Sequence, residues 1–424
     1  MPKRIVANTE WVLGKQTAIL EGKGILLGLS IGALVGIVGG LFVAALKWAA
    51  ITRDTVPIIV YFLPMIGLFI VWLYRRAGSK AVGGTNLVII GARGEGKVPQ
   101  RLAPLIFIST ILTHLFGGSA GREGAALQMG GSLGTWLSRR LHLDAHLAEI
   151  AVLCGMSAGF AGVFGTQISA VILALEISCV GILSMSAFFP CVVSAITAGS
   201  ISALFGTQAE RLYFTPTVGS PLLYVKILVL AMFCAWLGII VCFVFRKTEV
   251  YMRKLFTNEY LRVVVGGCTV VLATALIQDH AYLGTGQSLL EEAVLKGSAP
   301  MGAFVLKLLF TAVTLGAGYK GGEIVPVFAI GATFGCVAGP LFGIAPELAA
   351  AIGMISLFCS VTNCPLASLC LAFEVFGFNI PVGFLLAVSA SFLASGYSSL
   401  YSKQLFAFSK TVEPHSESDN ESSD

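Results

Sequence analysis

Two carboxylates stand out in a sequence that keeps charge out of most of its apolar stretches. Glu123 follows Arg122 in the glycine-rich run GGSAGREG and opens the apolar stretch GAALQMGGSLG, while Glu323 lies between KGG and IVPVFAIG. The first turn of a helix carries unpaired N–H groups and roughly half a positive charge, which suits an anion. A carboxylate placed there competes with the anion while ionised and leaves when protonated. Glu123 is therefore a candidate for a group that links proton binding to anion binding.

Each carboxylate also has a structural interpretation. Glu123 can form an ion pair with Arg122 or interact with the dipole of its own helix. Glu323 can pair with Lys320, three residues earlier. An unpaired charge at membrane depth is costly, so ionisable residues there are functional by default. This favours the functional interpretation and leaves the two pairs as alternatives.

Three further ionisable residues in apolar stretches are interpreted as structural. Glu176 and Glu374 lie at the ends of long apolar helices, and His114 is a single histidine in ILTHLFGG. A lone histidine of this kind is more often a hydrogen-bonded packing residue than a ligand. No paired metal ligands and no H-E-x-x-H motif of a membrane-embedded enzyme occur in the sequence. We expect no metal, no cofactor and no enzymatic activity.

Glycine-rich stretches mark points where the chain can turn and present consecutive N–H groups. Glycine allows a positive φ and a close approach of the backbone to a ligand. Packing of helices through small residues explains any one stretch, but three together favour a shared anion site. The stretches are VGGTNL (82–87), GGSAGREG (117–124) and YKGGEIVP (319–326).

The composition places these stretches inside a membrane. The chain is 56% hydrophobic and 12% charged, with a mean hydropathy of +0.88, well outside the range of soluble domains. Apolar segments of about 18 to 23 residues are long enough to cross a bilayer as helices. Roughly ten to eighteen spanning or partly spanning helices are expected. The clearest segments are Gly24–Leu46, Val56–Tyr74, Ile227–Phe245 and Ile380–Tyr397.

Basic residues indicate the orientation of the chain. Under the positive-inside rule, their clustering near the N-terminus and around residue 83 predicts that both regions are cytoplasmic. The net charge of +5 is therefore attributed to topology, and no nucleic-acid partner is expected. The clusters are Lys3 and Arg4; Arg75, Arg76 and Lys80; and Arg93, Lys97 and Arg101.

The same succession of features occurs twice along the chain. A Gly-x-x-x-Gly pair at 130–134 precedes an apolar helix that ends at Glu176, and a second pair at 331–335 precedes a helix that ends at Glu374. Repeated halves with glycine-interrupted segments point to a transport site at the repeat interface. The predicted organisation is a cytoplasmic segment 1–23, a first membrane repeat 24–205, a linker 206–220, a second membrane repeat 221–408 and a disordered acidic tail 409–424.

Four of these segments resemble one known family, the CLC chloride channels and proton-coupled anion antiporters. GREGAALQMGGSLG resembles the family's GREGP helix opening, GGTNLV occupies the place of its GSGIP loop, and KGGEIVPVFAIGATFG that of its GxFxP segment. SLYSK (399–403) is similar to the final element, which supplies a tyrosine to the anion site. The resemblance extends from Gly24 to Phe408. It implies an all-α membrane protein, a CLC-like multi-helix bundle of two inverted repeats whose broken half-helices meet at mid-membrane.

Departures from the family pattern favour one branch of it. Thr85 stands in place of the GSGIP serine, and Asn86 in place of the following glycine. Glu323 adds a carboxylate in the GxFxP region. This combination resembles the fluoride/proton antiporter branch. Val325 and Ala125, where that comparison leads us to expect a hydroxyl residue and a proline, do not match, so chloride remains the alternative ion.

The segment FGTQISAVILALEIS differs from the matching segment of the proton-coupled chloride exchangers. In those proteins the segment ends in two adjacent glutamates, and the second is the inner glutamate. This chain has Glu176 at the first of these positions and Ile177 at the second. By this resemblance the inner proton acceptor is absent. Glu323 is then expected to replace it by supporting Glu123 or the anion from the other side.

The resemblance implies a site and a function. The anion is expected at mid-membrane, between half-helices that open near Thr85, Glu123 and Ile324, with Glu123 and Glu323 in gating and proton transfer. The implied function is export of fluoride in exchange for protons, with a chloride/proton antiporter or a passive chloride channel as alternatives. The residues expected to bind the anion are Thr85, Asn86, Gly124, Ala125, Ile324, Val325 and Tyr401.

The resemblance also implies partners and location. The expected partners are fluoride or chloride, protons and the lipid bilayer. A homodimer with one pathway per subunit is expected, in a bacterial-type inner membrane and with both termini cytoplasmic.

Overall fold

The computed structural model is built almost entirely of helices. It describes residues 3–78, 83–214 and 221–410, with side chains from residue 22 onward. Parts of the sequence predictions fall outside these residues. They are residues 1 and 2 of the N-terminal segment, Lys80 and Val82, linker residues 215–220 and tail residues 411–424.

The described part of the first half contains eight α-helices. The first, α1, runs without a break through Lys3–Thr55 and so includes most of the predicted segment 1–23. It ends before Pro57, which lacks the N–H needed to continue an α-helix and opens a 3₁₀ helix, Pro57–Phe62. The predicted span Val56–Tyr74 is therefore a 3₁₀ turn followed by α2. The remaining helices are α2 (Leu63–Ala77), α3 (Thr85–Ala92), α4 (Leu102–Leu115), α5 (Glu123–Arg140), α6 (Ala145–Phe164), α7 (Gln167–Glu176) and α8 (Phe188–Ala203).

The second half repeats this order. It begins with a long helix, α9, and continues through seven shorter ones within the described residues. The helices are α9 (Pro221–Leu255), α10 (Glu259–Ile277), α11 (Gln287–Leu295), α12 (Ala303–Ala317), α13 (Ile324–Ala338), α14 (Pro346–Thr362), α15 (Pro365–Phe376) and α16 (Pro381–Ala394).

The helices suit a membrane-embedded bundle. In the described residues, seven helical segments are long and apolar enough to span a membrane, and six shorter apolar helices accompany them. The sixteen α-helices of these residues agree with the predicted range. Among the helices that begin at buried residues, α5 and α13 each follow a glycine-rich stretch, and their first residues, Glu123 and Ile324, are 0% and 1% exposed. These are the broken half-helices that the sequence predicts.

The two halves are related by inversion, which is clearest where their seventh helices, α7 and α15, pack together. The Glu374 carboxylate at the end of α15 accepts hydrogen bonds at 2.8 Å from the N–H groups of residues 168 and 169 in the first turn of α7. Reciprocally, the Glu176 carboxylate accepts bonds from residues 366 and 367, at 3.2 and 2.9 Å. Each helix therefore ends where the other begins, so the pair is antiparallel. Both glutamates cap helices, in agreement with their structural interpretation.

Small residues allow α5 to pack on α6, and α13 on α14, at very short range. A Cβ atom added at Gly130 would lie 1.9 Å from the carbonyl oxygen of Gly155, and one added at Gly335 would lie 2.1 Å from that of Ala349. No side chain fits at such distances. The Gly-x-x-x-Gly pairs are thus helix-packing positions that hold the two half-helices in place.

The segment after α16 contacts a strand of the first half and a helix of the second. Two-residue strands, β1 (Cys179–Val180) and β2 (Leu405–Phe406), pair in parallel. The Leu400 N–H donates to the carbonyl of Val361 at the end of α14, at 2.9 Å. These contacts fix the position of Tyr401, which lies between them in sequence.

Candidate functional site

Two half-helices begin side by side at a short backbone bridge. The Gly121 N–H donates to the carbonyl of Gly322 at 2.6 Å, and the Gly322 N–H donates back to Gly121 at 2.6 Å. Two residues after these glycines, α5 begins at Glu123 and α13 at Ile324. The first N–H groups of both helices lack intrahelical acceptors and therefore come together at one place.

Glycine is required at this junction. A Cβ atom added at Gly322 would lie 2.6 Å from the backbone nitrogen of Gly124, and one added at Gly124 would lie 3.0 Å from Gly322 Cα. The same atom on Gly124 would be 3.7 Å from Thr85 Oγ1. The absence of side chains thus brings α5 and α13 into contact and places both next to α3.

A third helix N-terminus lies beside these two. The first residue of α3, Thr85, follows Gly84, whose φ of 56° lies in the left-handed region that favours glycine. The Thr85 hydroxyl accepts a hydrogen bond from Gln128 Nε2 of α5 at 3.2 Å. Asn86 Oδ1 accepts one from the Lys403 N–H at 3.1 Å. These bonds hold α3 between α5 and the C-terminal segment.

A cavity of 550 Å³ opens beside the start of α3. Four of the predicted site residues line this inner cavity, namely Thr85, Asn86, Glu323 and Tyr401. Its wall also includes Arg246 of α9, whose positive charge favours the entry of anions.

A second cavity of 480 Å³, the outer cavity, is lined by Arg122 and His114 among others. Lys320 lines the inner cavity and also a pocket beside Glu259, the first residue of α10. Residues 279–280, just after the end of α10, line the outer cavity instead. The inner cavity therefore lies near the start of α10, and the outer cavity lies near its end. The 19 residues of α10 span about 28 Å, so the two cavities lie on opposite sides of the molecule.

Glu123 lies between the two cavities and is fully buried. Arg122, before it, lines the outer cavity, and Gly124, after it, lies close to Thr85 of the inner cavity. Arg122 Nε donates to Glu123 Oε1 at 3.1 Å, and the Arg122 N–H donates to Oε2 at 3.2 Å. The ion pair that a structural role requires is therefore present, and the carboxylate that it holds lies between the two cavities.

Arg122 also binds a second carboxylate. Its Nη2 donates to Glu210 Oε1, and Gln287 Nε2 donates to Glu210 Oε2 at 2.9 Å. The side chains of Arg122 and Glu210 are 15% and 20% exposed. One guanidinium thus joins the fully buried Glu123 to a partly exposed carboxylate, which also binds Gln287 of the outer cavity.

Glu323 is the N-cap residue of α13 and lies half-buried in the wall of the inner cavity. Within the described residues, its carboxylate has neither a hydrogen bond nor an ion pair. The alternative pairing with Lys320 is not formed, since the Lys320 ammonium lies 4.7 Å from the centre of the Tyr74 ring. Glu323 therefore presents a free carboxylate to the cavity.

The Tyr401 hydroxyl is buried and has no hydrogen-bond partner in the described part of the chain. Most buried hydroxyl groups in proteins have such a partner. The side chain is 3% exposed, shares the inner cavity with Glu323, and lies close enough to interact electrostatically with Glu323 and Glu123. A buried O–H donor without a protein acceptor is suited to bind an anion.

The remaining predicted residues lie in the first turns of the half-helices. Ala125, Ile324 and Val325 are each 1% exposed, so their side chains belong to the core. They and Gly124 offer backbone N–H groups rather than side chains. Pro326, the next residue of α13, has no N–H, so α13 offers fewer donors than α5.

Gln128 and Glu210 bind predicted site residues or their neighbours, but neither is predicted from the sequence. Gln128 is 5% exposed, binds Thr85 and lines the inner cavity. Its signal is a polar residue in an apolar stretch, four residues after Gly124 and hence on the same helix face. Glu210 gives no such signal, because it lies in the linker, 88 residues after Arg122.

Lys307 of α12 is fully buried beneath the glycine-rich stretch that precedes Glu123. Its ammonium donates to Ser119 Oγ at 2.9 Å and to the carbonyls of Tyr282 and Gly284 at 3.0 and 2.8 Å. All three donors are used, which offsets the burial of the charge.

GGSAG also fits the G-x-S-x-G pattern of serine hydrolases, but Ser119 is fully buried, whereas such a nucleophile must be exposed.

His114 has the contacts of a packing residue. Its Nδ1 lies 2.8 Å from the Thr110 carbonyl one turn earlier, and Arg53 donates to the His114 carbonyl at 3.3 Å. Its Nε2 has no partner among the described residues, and these residues hold no group of side chains arranged to bind a metal ion.

This combination of inverted halves, abutting half-helices and a buried carboxylate at a helix start matches one family of membrane proteins. The model of the voltage gated chloride channel family matches residues 66–396. The chain belongs to the CLC family. The matched CLC region contains the openings of α3, α5 and α13 and all predicted site residues except Tyr401.

Several CLC proteins are similar over most of their length. The chloride/fluoride channel protein of Pseudomonas syringae pv. tomato is 34% identical over 389 residues, which cover 90% of this chain and 86% of that protein. The H(+)/Cl(−) exchange transporter ClcA of Vibrio cholerae is 26% identical over 392 residues, or 82% and 81% of the two chains. A crystal structure of a CLC-type fluoride/proton antiporter matches with a TM-score of 0.87 at 34% identity, covering 91% of this chain and 98% of that one.

Proposed function

We propose that this CLC protein exports fluoride in exchange for protons. The observation that carries the proposal is a carboxylate at the N-terminus of each of two abutting half-helices, Glu123 on α5 and Glu323 on α13, across the bridge between Gly121 and Gly322. The similarity to a CLC-type fluoride/proton antiporter and to a chloride/fluoride channel protein supports the choice of ion.

The anion would be bound by donors from three elements. Fluoride is small and strongly hydrated, so its site must replace lost water with many N–H and O–H donors. The Thr85 hydroxyl accepts from Gln128 and keeps its own hydrogen for an anion. The Tyr401 hydroxyl makes no hydrogen bond to another described residue, so it loses none when it binds an anion. Asn86 uses its oxygen for Lys403, which leaves its amide N–H groups for the cavity.

Proton coupling follows from the position of Glu123. Ionised Glu123 fills the path between the cavities and is held by Arg122. Protonation removes the charge that Arg122 binds, so the side chain can leave the path and the anion can pass. Glu323 then supports the exchange from the inner cavity. Two carboxylates near one site take up protons in separate steps, as alternating transport requires.

Chloride/proton exchange and passive chloride conduction are the other candidate functions. A channel needs a continuous path, whereas Glu123 and the bridge between Gly121 and Gly322 separate the two cavities here. Chloride exchange is supported by the similarity to the Vibrio cholerae exchange transporter. Fluoride is favoured over chloride because Thr85, Asn86 and Glu323 together resemble the fluoride/proton antiporter branch.

One vesicle experiment distinguishes these functions. The purified protein is reconstituted, and efflux is followed with fluoride and chloride electrodes and a pH probe. We expect outward fluoride to drive inward protons, with little chloride movement.

Glu123→Gln should abolish the proton movement, and Glu323→Ala should impair fluoride transport without unfolding the protein. Proton movement that persists in Glu123→Gln would show that Glu123 is not the gate. Proton movement driven by chloride in the wild type would show that the protein exchanges chloride for protons.

We also propose a homodimer with one pathway per subunit in the inner membrane, with both termini cytoplasmic. The orientation is supported by Arg75, Arg93 and Arg246, which lie around the inner cavity, because such residues are enriched on the cytoplasmic side. Exposed apolar side chains on α8 and α16, among them Phe189 and Leu385, suit contact with lipid or a second subunit.

A further inference from the structure

A basic pocket of 330 Å³ lies between α2 and α10, next to the inner cavity. Its lining contains three cations, Arg75, Arg262 and Lys320, and one carboxylate, Glu259. Apolar residues of α2, including Ile70, form the rest of the wall. The pocket therefore combines an excess of positive charge with an apolar side.

The cations keep donors that the protein does not use. Arg75 donates through Nε to Glu259 at 3.0 Å, and its side chain is 55% exposed. Arg262 donates through Nε to a backbone carbonyl at 3.3 Å. Among the described residues, the terminal nitrogens of Arg262 and the ammonium of Lys320 have no hydrogen bond, and the ammonium lies over the Tyr74 ring. Guanidinium groups with free terminal nitrogens match the oxygens of a phosphate.

The pocket lies at the end of a surface that suits lipid contact. On α2, Phe69 and Trp72 are 42% and 45% exposed just before Arg75, and Leu272 of α10 is 62% exposed. Both helices belong to segments that are long and apolar enough to span a membrane. The Arg76 guanidinium lies 5.5 Å from the centre of the Trp72 ring, as is typical of the membrane interface. Basic pockets at this level between spanning helices suit anionic lipid head groups.

The pocket adjoins the loop that carries Glu323. Lys320 lines both the pocket and the inner cavity. The hydroxyl of Tyr319 lies 2.9 Å from the Leu63 carbonyl of α2 and 3.1 Å from the Val263 carbonyl of α10. A ligand that bridges the three cations would therefore fix the loop to the same two helices.

We propose that this pocket binds the phosphate head group of an anionic phospholipid, and that the bound head group fixes the loop preceding Glu323. The phosphate oxygens bind Arg75, Arg262 and Lys320, and the acyl chains cover the apolar face of α2. A free phosphate has the same oxygens but nothing to cover that face. Lipid binding is independent of the transported ion, and only its effect on transport rests on the proposed function.

Thermal unfolding of the full-length protein in mixed micelles tests the binding. Phosphatidylglycerol should raise the unfolding midpoint of the wild type relative to phosphatidylcholine, because a ligand that binds only the folded state stabilises it. The double variant Arg75→Gln/Arg262→Gln should lose most of this rise. The control Arg140→Gln, whose guanidinium lies 5.9 Å from the Trp136 ring at the end of α5 and outside the pocket, should keep it.

Two results would overturn the binding proposal. The first is a double variant that keeps the full rise; Lys320→Met carries the same test if the double variant does not fold. The second is a rise of equal size produced in phosphatidylcholine by inorganic phosphate alone, which would show that the pocket takes a free phosphate.

Fluoride efflux tests the effect on the loop. Anionic lipid lowers the anion concentration at every surface, so variants are compared within one vesicle composition. In phosphatidylglycerol vesicles the double variant should be slower than Arg140→Gln by about threefold or more, and in phosphatidylcholine vesicles the two should be equal. Equal rates in both compositions would overturn the loop effect. A wild type that moves no fluoride would contradict the proposed function and leave the thermal result standing.

Discussion

Arg122 is shared by two carboxylates, and the sharing limits how firmly it holds Glu123. Glu210 takes one terminal nitrogen of the guanidinium, while Glu123 takes Nε. In Glu210→Gln, Arg122 loses its second anionic partner and should hold ionised Glu123 more tightly. If this adds about 1 kcal/mol to the barrier for the side chain to leave the path, coupled transport should slow by about fivefold. Initial rates of fluoride efflux in vesicles measure the effect.

A neighbouring carboxylate provides the matched control. Glu291 accepts a hydrogen bond at 3.0 Å from the same Gln287 that binds Glu210, without contacting Arg122. Glu291→Gln should therefore transport at the wild-type rate. A Glu210→Gln variant that is as fast as this control would show that Arg122 does not control the movement of Glu123.

The glycines of the bridge make a second prediction at the residue scale. A Cβ atom at Gly322 would lie 2.6 Å from the backbone nitrogen of Gly124, so Gly322→Ala should displace the start of α5. A small displacement of reacting groups is costly, and transport should fall by about tenfold or more with the protein still folded. Gly302→Ala is the control, because an atom added there meets nothing within 4 Å. Equal transport by both variants would contradict the close packing of the half-helices.

At the scale of elements, the reciprocal caps between α7 and α15 join the two halves. Glu374→Gln removes the charge that binds two N–H groups of α7, each at 2.8 Å. We expect a loss of about 1 to 2 kcal/mol in the free energy of unfolding, measured by denaturation in detergent. Glu292→Gln should cost almost nothing, because Glu292 pairs only at 3.5 Å with the exposed Lys296. A Glu374→Gln variant as stable as Glu292→Gln would show that the carboxylate does not cap α7.

The elements also show where local patterns predict structure and where they do not. The starts of α5 and α13 could be predicted from the sequence because glycine and a charged residue interrupt the apolar sequence at both points. The predicted span Val56–Tyr74 is confirmed as a helical segment of membrane length, Pro57–Ala77, but hydropathy does not show that its first part is a 3₁₀ helix opened by Pro57. Gln128 could also have been predicted as a site residue, because it is polar and lies on the same face of α5 as Gly124.

At the scale of the whole molecule, the two cavities predict opposite accessibility. Ser288 lines the outer cavity and Ser402 the inner one, and both are exposed. In intact cells, a membrane-impermeant maleimide should label Ser288→Cys, and it should label Ser402→Cys only after permeabilisation. The wild type supplies the background, since Cys268 is itself exposed. Labelling of both variants from one side would contradict the arrangement of the cavities, and the reverse pattern would invert the orientation of the chain.

The sequence by itself determined that this is a membrane protein of two similar halves, and that Glu123 and Glu323 stand at helix openings. These features depend on local properties, namely hydropathy over a span, the conformational freedom of glycine and the cost of a buried charge. Only the tertiary structure decided which groups meet. Arg122 and Glu210 are 88 residues apart, and Tyr319 and Leu63 are 256 apart. Such contacts arise from the packing of helices, and spacing along the chain carries no information about them.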